Sequence, residues 1–383
     1  MSSLRRLALA ALIGGALFAP VQADPVQPQA VADHYASLVH AGYSDTLAAA
    51  KTLQQSIDAL LANPNEDTLT AARKAWLAAR EWYGQTEAFR FYGGPIDAED
   101  GPEPRINAWP MDEAYVDYVK GKNKAGIVNN PKAKLSREVL VSLNEKGGEE
   151  NISTGWHAIE FLLWGQDLNK AGPGARPASD FVDSKANNAE RRRNYLKIVS
   201  DLLVDDLTTL VKAWEPNADN YRARFVQDPQ AISKMLTGLG VLSRGELAGE
   251  RMEVALASQS QEDEHSCFSD NTHRDIVGNA RGIQNVWEGR YQRADGSRLE
   301  GPSLRQLVAD KDAKIADKVS ADMAASVSAA EAIQAPFDRE IVGRDDAPGR
   351  KRVRAVIDAL KQQANGLVQA AKALGIKRLN TKV

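Results

Sequence analysis

The sequence feature that most constrains the fold is an apolar run with two ionisable side chains inside it, GWHAIEFLLWGQD at residues 155–167. Its isoleucine and leucines predict a buried helix. His157 and Glu160 stand three positions apart, so both face one side of that helix. A buried imidazole or carboxylate that lacks a partner costs free energy. The spacing therefore predicts either a His–Glu pair or a metal site, and it leaves both open.

The same run resembles the signature of the imelysin-like family, which includes the insulin-cleaving metalloproteinase outer membrane proteins and iron-regulated protein A. Residues 94–113 and 261–275 are similar to two further parts of that family. The resemblance extends over nearly all of the chain after residue 23. It implies paired helical domains, a role in iron acquisition, and a metal ion or an iron-bearing ligand as the bound species.

The first residues predict a cleaved signal peptide over 1–23. Arg5 and Arg6 are followed by an apolar stretch over 7–18 and by the small-residue cleavage site Val21-Gln22-Ala23. The apolar stretch is too short to anchor the chain across a bilayer. We therefore expect an exported protein in the periplasm, or on the periplasmic side of the outer membrane. We expect no transmembrane helix in the mature chain.

Composition reduces the number of protein classes to which the chain could belong. Charged residues make up 26% of the sequence and hydrophobic residues 43%, as in ordinary soluble proteins. The net charge of −3 gives no reason to expect a nucleic-acid partner. The single cysteine, Cys267, excludes a disulfide within the chain.

Apolar residues recur at helical spacing along most of the chain, and Pro and Gly punctuate them. This pattern predicts helices over 30–61, 67–91, 112–120, 153–164, 190–214, 228–258, 272–287, 302–333 and 347–374. The fold class is therefore all-α. The proline-rich segment 96–110 is predicted to be an ordered excursion over the helices.

Each half of the chain offers about four main helices, which predicts two helical-bundle domains. The boundary is placed at Glu215-Pro216-Asn217, where a proline separates two helical patterns. The N-terminal bundle then covers 24–215 and carries the Gly-x-His-x-x-Glu motif, and the C-terminal bundle covers 216–383. An old duplication of a four-helix bundle would explain this arrangement, although the halves share no obvious repeat.

A second polar cluster lies at 261–275 and contains two of the five histidines. A generic acidic run of this kind would be a solvated connection, but Cys267 and Phe268 are awkward in an exposed loop. The segment is also similar to a motif of the iron-regulated protein A branch. If the two halves face each other, His265 with Asp263 or Glu262 would complete a site begun by His157 and Glu160.

Glu87 lies near the end of the second predicted helix, three residues before Arg90. Their spacing fits an ordinary ion pair, whereas the family resemblance implies that Glu87 is a ligand or supports one. The complete set of candidate metal ligands is therefore His157, Glu160, His265, Asp263, Glu87, Glu262 and Asp270.

Imidazole and carboxylate ligands suit iron as well as zinc. The bound metal is predicted to be iron in preference to zinc, because the family resemblance implies iron acquisition. The family also has a metallopeptidase label. However, Phe161 follows Glu160, so neither His-Glu-x-x-His nor His-x-x-Glu-His occurs here. Whether the chain is an enzyme stays open. Two alternatives remain: a zinc-dependent endopeptidase that uses His157 and Glu160, and an envelope interaction protein that binds no metal. Other envelope iron-uptake proteins are candidate partners.

Overall fold

Helices form nearly all of the regular structure in the computed structural model, which describes residues 25–379 and 381. The prediction of an all-α fold is confirmed. The predicted signal peptide, 1–23, lies outside the described residues. Within the part of the chain that the structure describes, no helix has both the length and the hydropathy needed to span a bilayer.

The first half of the chain supplies three long helices and several short ones. In chain order they are α1 (Pro28–Ala62), α2 (Glu66–Thr86), α3 (Glu103–Asn107), α4 (Glu113–Val116), α5 (Gly126–Asn129), α6 (Arg137–Leu143), α7 (Gly155–Trp164) and α8 (Ala189–Ala213). Short 3₁₀ turns occupy Glu87–Phe89 and Ala178–Phe181.

The second half is again built on long helices, with one two-stranded hairpin between them. Its elements are α9 (Tyr221–Val226), α10 (Ala231–Val241), α11 (Val254–Ser258), α12 (Thr272–Glu288), β1 (Arg290–Gln292), β2 (Arg298–Glu300), α13 (Leu304–Ala309), α14 (Ala313–Glu331), α15 (Asp338–Ile341) and α16 (Pro348–Ala373). A π-helical stretch, Leu242–Glu253, joins α10 to α11, and a 3₁₀ turn occupies Gln261–Asp263. The strands pair antiparallel, with Tyr291 opposite Leu299.

Three details differ from the sequence predictions. The prediction of a single helix over 302–333 is wrong. The Asp312 side chain accepts hydrogen bonds from the amides of Lys314 and Ile315, so α14 starts there as a separate helix. The helix predicted over 67–91 ends at Thr86 and continues only as a 3₁₀ turn. The helix predicted over 112–120 is reduced to α4, which ends at Val116.

The long helices of each half pack mainly on one another. α1 lies along α2 and α8, and α16 lies along α14 and the π-helical stretch. α12 contacts both α2 and α14, so it connects the two groups. One continuous apolar core contains buried residues from both groups, including Trp76 and Trp287. The domain boundary near Pro216 and the duplication stay predictions.

The contact between α2 and α12 is unusually close, and it sets the geometry of the site. A Cβ added at Gly282 would lie 2.2 Å from the Gln85 carbonyl oxygen. Gly84 and Gly278 face each other across the same contact. Because no side chains separate the two backbones here, Arg80 of α2 reaches Asp275 in the first turn of α12.

Helix α7 is buried along its whole length, and residues 96–110 fix where it begins. Gly155 has φ of 83°, and a Cβ there would lie 2.4 Å from the Ile106 carbonyl oxygen. Only glycine accepts both the positive φ and the close approach. The adjacent Thr154 hydroxyl donates to the Arg105 carbonyl. The predicted ordered excursion therefore packs directly on the start of the signature helix.

Candidate functional site

His157 and Glu160 contact each other one turn apart on α7. His157 Nδ1 lies 2.9 Å from Glu160 Oε2. The other carboxyl oxygen, Oε1, accepts hydrogen bonds from the amide and the hydroxyl of Ser269 at 2.9 and 2.7 Å. Both oxygens of Glu160 are therefore engaged, one on the imidazole and one on the loop that leads into α12.

Burial keeps this pair uncharged. Desolvation, with the nearby positive charge of Arg80, lowers the pKa of His157 to about 3. Desolvation also raises the pKa of Glu160 to about 8, although the hydrogen bonds from Ser269 oppose the shift. The contact is thus a hydrogen bond between neutral partners at pH 7, rather than an ion pair.

His265 is held in the same manner, by a carboxylate of the second half. Its Nδ1 lies 2.8 Å from Oδ2 of Asp275. Asp275 also accepts from the Ser266 hydroxyl at 2.5 Å and pairs with Arg80 at 3.0 Å. Although burial opposes ionisation, the Arg80 guanidinium and His265 hold the pKa of Asp275 well below its usual range. Asp275 is therefore an acceptor, so the His265 ring donates from Nδ1 and leaves the Nε2 lone pair free.

The two imidazoles meet, and each has a nitrogen without a partner. The ring centroids of His157 and His265 are 4.8 Å apart, with the planes inclined by 73°. Nε2 of each ring is buried and has no hydrogen-bond partner. A buried polar nitrogen left unsatisfied costs about 1–3 kcal/mol, so two of them side by side indicate a site for a bound species.

A small cavity of about 10 Å³ lies against these rings. That volume is close to the space that one water molecule needs. Its lining consists of Trp109, Met111, His157, Glu262, Glu264, His265, Cys267 and Phe268. Glu264 is 1% exposed, and neither of its carboxyl oxygens has a hydrogen-bond partner. Three side chains with unpartnered polar atoms thus line one enclosed space.

These side chains do not form a closed metal cage as they stand. Among residues 25–379 and 381, no three His, Cys, Asp or Glu side chains are grouped closely enough to hold a metal ion. The arrangement supplies two imidazole nitrogens. Further ligands would have to come from water or from Glu264 after a rotation of its side chain.

Comparison with known proteins identifies the family of the chain. The family model for imelysin matches residues 39–367, which is most of the sequence.

This chain belongs to the imelysin family.

One curated protein and one solved structure are similar to the chain. Iron-regulated protein A of Synechococcus elongatus is 26% identical over 343 residues, which cover 85% of this chain and 83% of the relative. The crystal structure of a protein assigned as an iron-regulated protein A precursor, from Parabacteroides distasonis, superposes with a TM-score of 0.70. The superposition covers 92% of this chain and 97% of the Parabacteroides distasonis chain. The sequence identity is 18%, so this comparison supports the shared fold alone.

Glu87, a candidate ligand from the sequence analysis, belongs to a buried network of charges beside the site. Arg251 donates to both of its carboxyl oxygens, at 3.1 and 2.6 Å. Arg90 donates to Oε2 at 3.0 Å. Despite its burial, these guanidinium groups hold the pKa of Glu87 well below its usual range. Its oxygens are committed to arginines, which makes Glu87 part of the framework rather than of the cavity.

The remaining candidate metal ligands lie at different places around the site. Glu262 lines the cavity. Asp263 ends the 3₁₀ turn Gln261–Asp263 and does not line the cavity. Asp270 lies two residues before the start of α12 and adopts a left-handed backbone conformation, with φ of 57°. Burial, with the negative charges of Asp167 and Asp338, raises the pKa of Asp270 to about 7.

The sequence analysis did not identify Glu264, Asp275 or Arg80 as members of this site. Glu264 and Asp275 lie within the polar cluster at 261–275, but their individual roles depend on a loop conformation that spacing does not reveal. Arg80 lies on an amphipathic helix, where an arginine is normally solvated. Here it is 1% exposed because α12 approaches α2 so closely.

The metal-free protein should become more stable as the pH falls from about 8 to about 6.5. In that window the folded chain keeps a proton on Glu160, whose pKa is about 8, while the unfolded chain, with a model value of 4.5, has lost it. His157 and His265 oppose this only at the lower end of the window, because they take up protons in the unfolded state near 6.5 and below. Scanning calorimetry should show a higher Tm at pH 6.5 than at pH 8.

The Glu160→Gln variant is the matched control, because glutamine keeps the hydrogen bonds but cannot titrate. Its Tm should vary less over the same range. A wild-type Tm that rises towards pH 8 would contradict the raised pKa of Glu160.

Proposed function

We propose that this exported imelysin-family protein binds an iron cation through Nε2 of His157 and Nε2 of His265, and that it serves iron acquisition. Glu160 and Asp275 then orient the two rings rather than contact the metal. Glu264, which lines the same cavity, supplies a further oxygen ligand, and water completes the coordination.

The observation that carries this proposal is the pair of unpartnered Nε2 atoms. Metal-binding histidines almost always donate their other ring nitrogen to a carboxylate or carbonyl, which fixes the ring and its tautomer. His265 donates to the ionised Asp275 in this way. His157 contacts Glu160 with the same ring nitrogen, and a cation bound at Nε2 would require Glu160 to give up its proton. A pair of ordinary core histidines would instead satisfy both ring nitrogens, as buried polar groups generally do.

Iron is favoured among the possible metals for two reasons. Imidazole and carboxylate ligands suit iron, and the chain offers no grouped thiolates that would select a softer ion, since Cys267 is its single cysteine. The relatives are also named as iron-regulated proteins. The role in iron acquisition rests on those names.

Equilibrium dialysis of the purified mature chain against Fe²⁺ under anaerobic conditions tests the proposal. We expect one ion to be retained per chain. No retention, with Zn²⁺ also unbound, would favour the alternative of an envelope interaction protein that binds no metal.

Zinc-dependent proteolysis should be absent. A zinc peptidase needs an open coordination position for water and a base placed to take its proton. Glu160 is fully engaged by His157 and Ser269, and the cavity of about 10 Å³ leaves no room for a peptide bond. A denatured protein substrate incubated with the chain and Zn²⁺ should stay intact. Cleavage that is lost in an identically prepared Glu160→Gln variant would reverse this conclusion.

Export is the remaining part of the proposal. It is supported by the predicted signal peptide over 1–23, and the structural relative is named as a precursor. N-terminal sequencing of chain recovered from the cell envelope should give Asp24 as the first residue. An intact Met1 on cytoplasmic material would contradict export.

A further inference from the structure

A second cavity, of about 460 Å³, lies at the C-terminal end of α7, where Trp164 and Gly165 line it. His157 lies about two helical turns earlier, so about 10 Å along the helix axis separate this cavity from the paired histidines. None of the described residues lines both cavities. Pockets that bury a small organic ligand measure roughly 300–1,000 Å³, so the size of this cavity suits a small organic molecule rather than a lone ion.

Hydrogen bonds between distant segments hold the walls of this cavity in place. The Arg176 amide donates to the Trp164 carbonyl at 2.7 Å. The Arg73 side chain donates to the Arg176 carbonyl, also at 2.7 Å. The Lys120 amide donates to Gln166 Oε1 at 3.0 Å, which joins the segment after α4 to the loop after α7. Because these walls are already ordered, a ligand would lose little affinity to the ordering of the protein.

The lining of the cavity is apolar and cationic. Trp164 and Val119 contribute buried apolar surface, and Leu168, which is 61% exposed, contributes a further apolar side chain. Lys120 and Arg176 contribute positive charges, and no aspartate or glutamate is among the described residues that line the cavity. Ligand pockets are typically apolar with a few polar groups that fix the ligand, and here the charged groups favour an anion.

Arg176 has donor capacity that the protein does not use. It is 4% exposed, and its Nη1 donates to Asp117 at 3.0 Å and to Asp180 at 2.8 Å. Its Nε is buried and has no hydrogen-bond partner in the part of the chain that the structure describes. A buried donor without an acceptor is destabilising. The guanidinium edge that carries Nε and Nη2, here called the Nε edge, is therefore where an acceptor from a ligand would bind.

Other arginines of the chain show what this kind of edge binds. Nε and Nη2 of Arg192 donate to the two oxygens of Asp117, at 2.6 and 3.0 Å. Nε and Nη2 of Arg274 donate to the two oxygens of Glu81 in the same manner, at 2.6 and 2.7 Å. This two-bond geometry matches a carboxylate and is among the strongest hydrogen-bonding arrangements in proteins. A carboxylate is thus the expected partner of the Nε edge of Arg176.

Gly165 leaves room beside this edge. A Cβ added there would lie 3.5 Å from Arg176 Nε and 3.1 Å from Arg176 Cβ. Gly165 has φ of 71° and ψ of −172°, a backbone conformation that residues with a Cβ rarely adopt. The glycine that ends α7 therefore keeps the Nε edge free of a side chain at position 165.

The charges around the cavity indicate how many negative charges its ligand has. Arg176 and Arg192 are matched by two carboxylates, those of Asp117 and Asp180. Lys120 then contributes one further positive charge to the lining. One carboxylate on the ligand would balance that charge, whereas a second would have no matching charge on the lining.

We propose that this cavity binds a small organic monocarboxylate. The carboxylate accepts hydrogen bonds from the Nε edge of Arg176 and lies near the charge of Lys120. The apolar body of the ligand packs against Trp164 and Leu168. This site is separate from the proposed iron site, and its ligand needs no metal.

Calorimetric titration of the metal-free chain with benzoate and with hexanoate tests the proposal, because the two probes have a flat and a flexible apolar body. Their neutral counterparts are benzamide and hexanamide, which keep the shape and lack the charge. We expect one carboxylate to bind per chain, with a Kd at least about tenfold lower than that of the matching amide.

Two variants place the binding in this cavity. Arg176→Lys keeps a positive charge for Asp117 and Asp180 but has no Nε edge, so benzoate should bind at least about tenfold more weakly. Leu168→Glu places a negative charge on the lining in exchange for apolar surface. It should also weaken benzoate about tenfold at low salt, and it should fold normally because Leu168 is 61% exposed.

Val342→Glu is the matched control, because Val342 is 45% exposed and does not line the cavity. Its Kd for benzoate should equal that of the wild type. Equal affinity for carboxylate and amide, or no saturable binding of either carboxylate, would overturn the proposal. So would unchanged benzoate binding in Leu168→Glu, which decides the question if Arg176→Lys does not fold. Since the chain is titrated without metal, these results are independent of the proposed iron site.

Discussion

Replacing both His157 and His265 with alanine should weaken Fe²⁺ binding by at least about a hundredfold. Each imidazole supplies one Nε2 atom to the proposed site, and the loss of a ligand removes at least about 1.4 kcal/mol, a factor of ten in Kd. Calorimetric titration under anaerobic conditions should resolve the single variants, each weakened at least about tenfold, and the double variant.

His40→Ala is the matched control, because His40 lies on α1 and does not line the cavity. Its Kd for Fe²⁺ should equal that of the wild type. Equal binding by the wild type and the double variant would make His157 and His265 ordinary core histidines and would end the metal proposal.

Arg251→Met should lower the free energy of unfolding of the metal-free protein by about 3–5 kcal/mol, since it removes one of the two guanidinium groups that neutralise the buried Glu87 carboxylate. Arg251 is 2% exposed and contacts both oxygens of Glu87. Urea unfolding gives the measurement. The control is Arg137→Met, which removes an exposed ion pair with Asp205 and should cost about 0–1 kcal/mol.

Adding Glu87→Gln to the Arg251→Met chain should recover part of the lost stability, because it removes the buried carboxylate charge that Arg251 no longer helps to neutralise. The single Glu87→Gln variant, if folded, should bind Fe²⁺ as the wild type does, since Glu87 lies outside the cavity lining. A loss below about 1 kcal/mol in Arg251→Met would show that the buried network is unimportant for folding.

Much of the fold could be predicted because the signals for helices lie in short stretches of the sequence. Apolar spacing located the long helices to within a few residues, and a three-residue separation placed His157 and Glu160 within reach of each other. The sequence analysis did not predict the small β-hairpin, although Asp295-Gly296 is a typical hairpin signal between Tyr291 and Leu299. The break at Asp312 had an N-cap signal of the same local kind.

The rest of the site depends on contacts between distant segments, which one sequence does not reveal. His265 and Asp275 are ten residues apart and meet only because the loop before α12 folds back. Arg80 reaches Asp275 only because α2 and α12 approach each other at glycines. That Glu264 lacks a partner while Glu87 has two arginines is likewise a property of tertiary packing.

The central claim is that one cation bridges two imidazoles contributed by the two halves of the chain. Crystals grown anaerobically with Fe²⁺ and measured at the iron absorption edge test it most directly. We predict an anomalous peak at about 2.0–2.3 Å from Nε2 of both His157 and His265. A peak elsewhere, or none at these nitrogens in iron-loaded protein, would contradict the account.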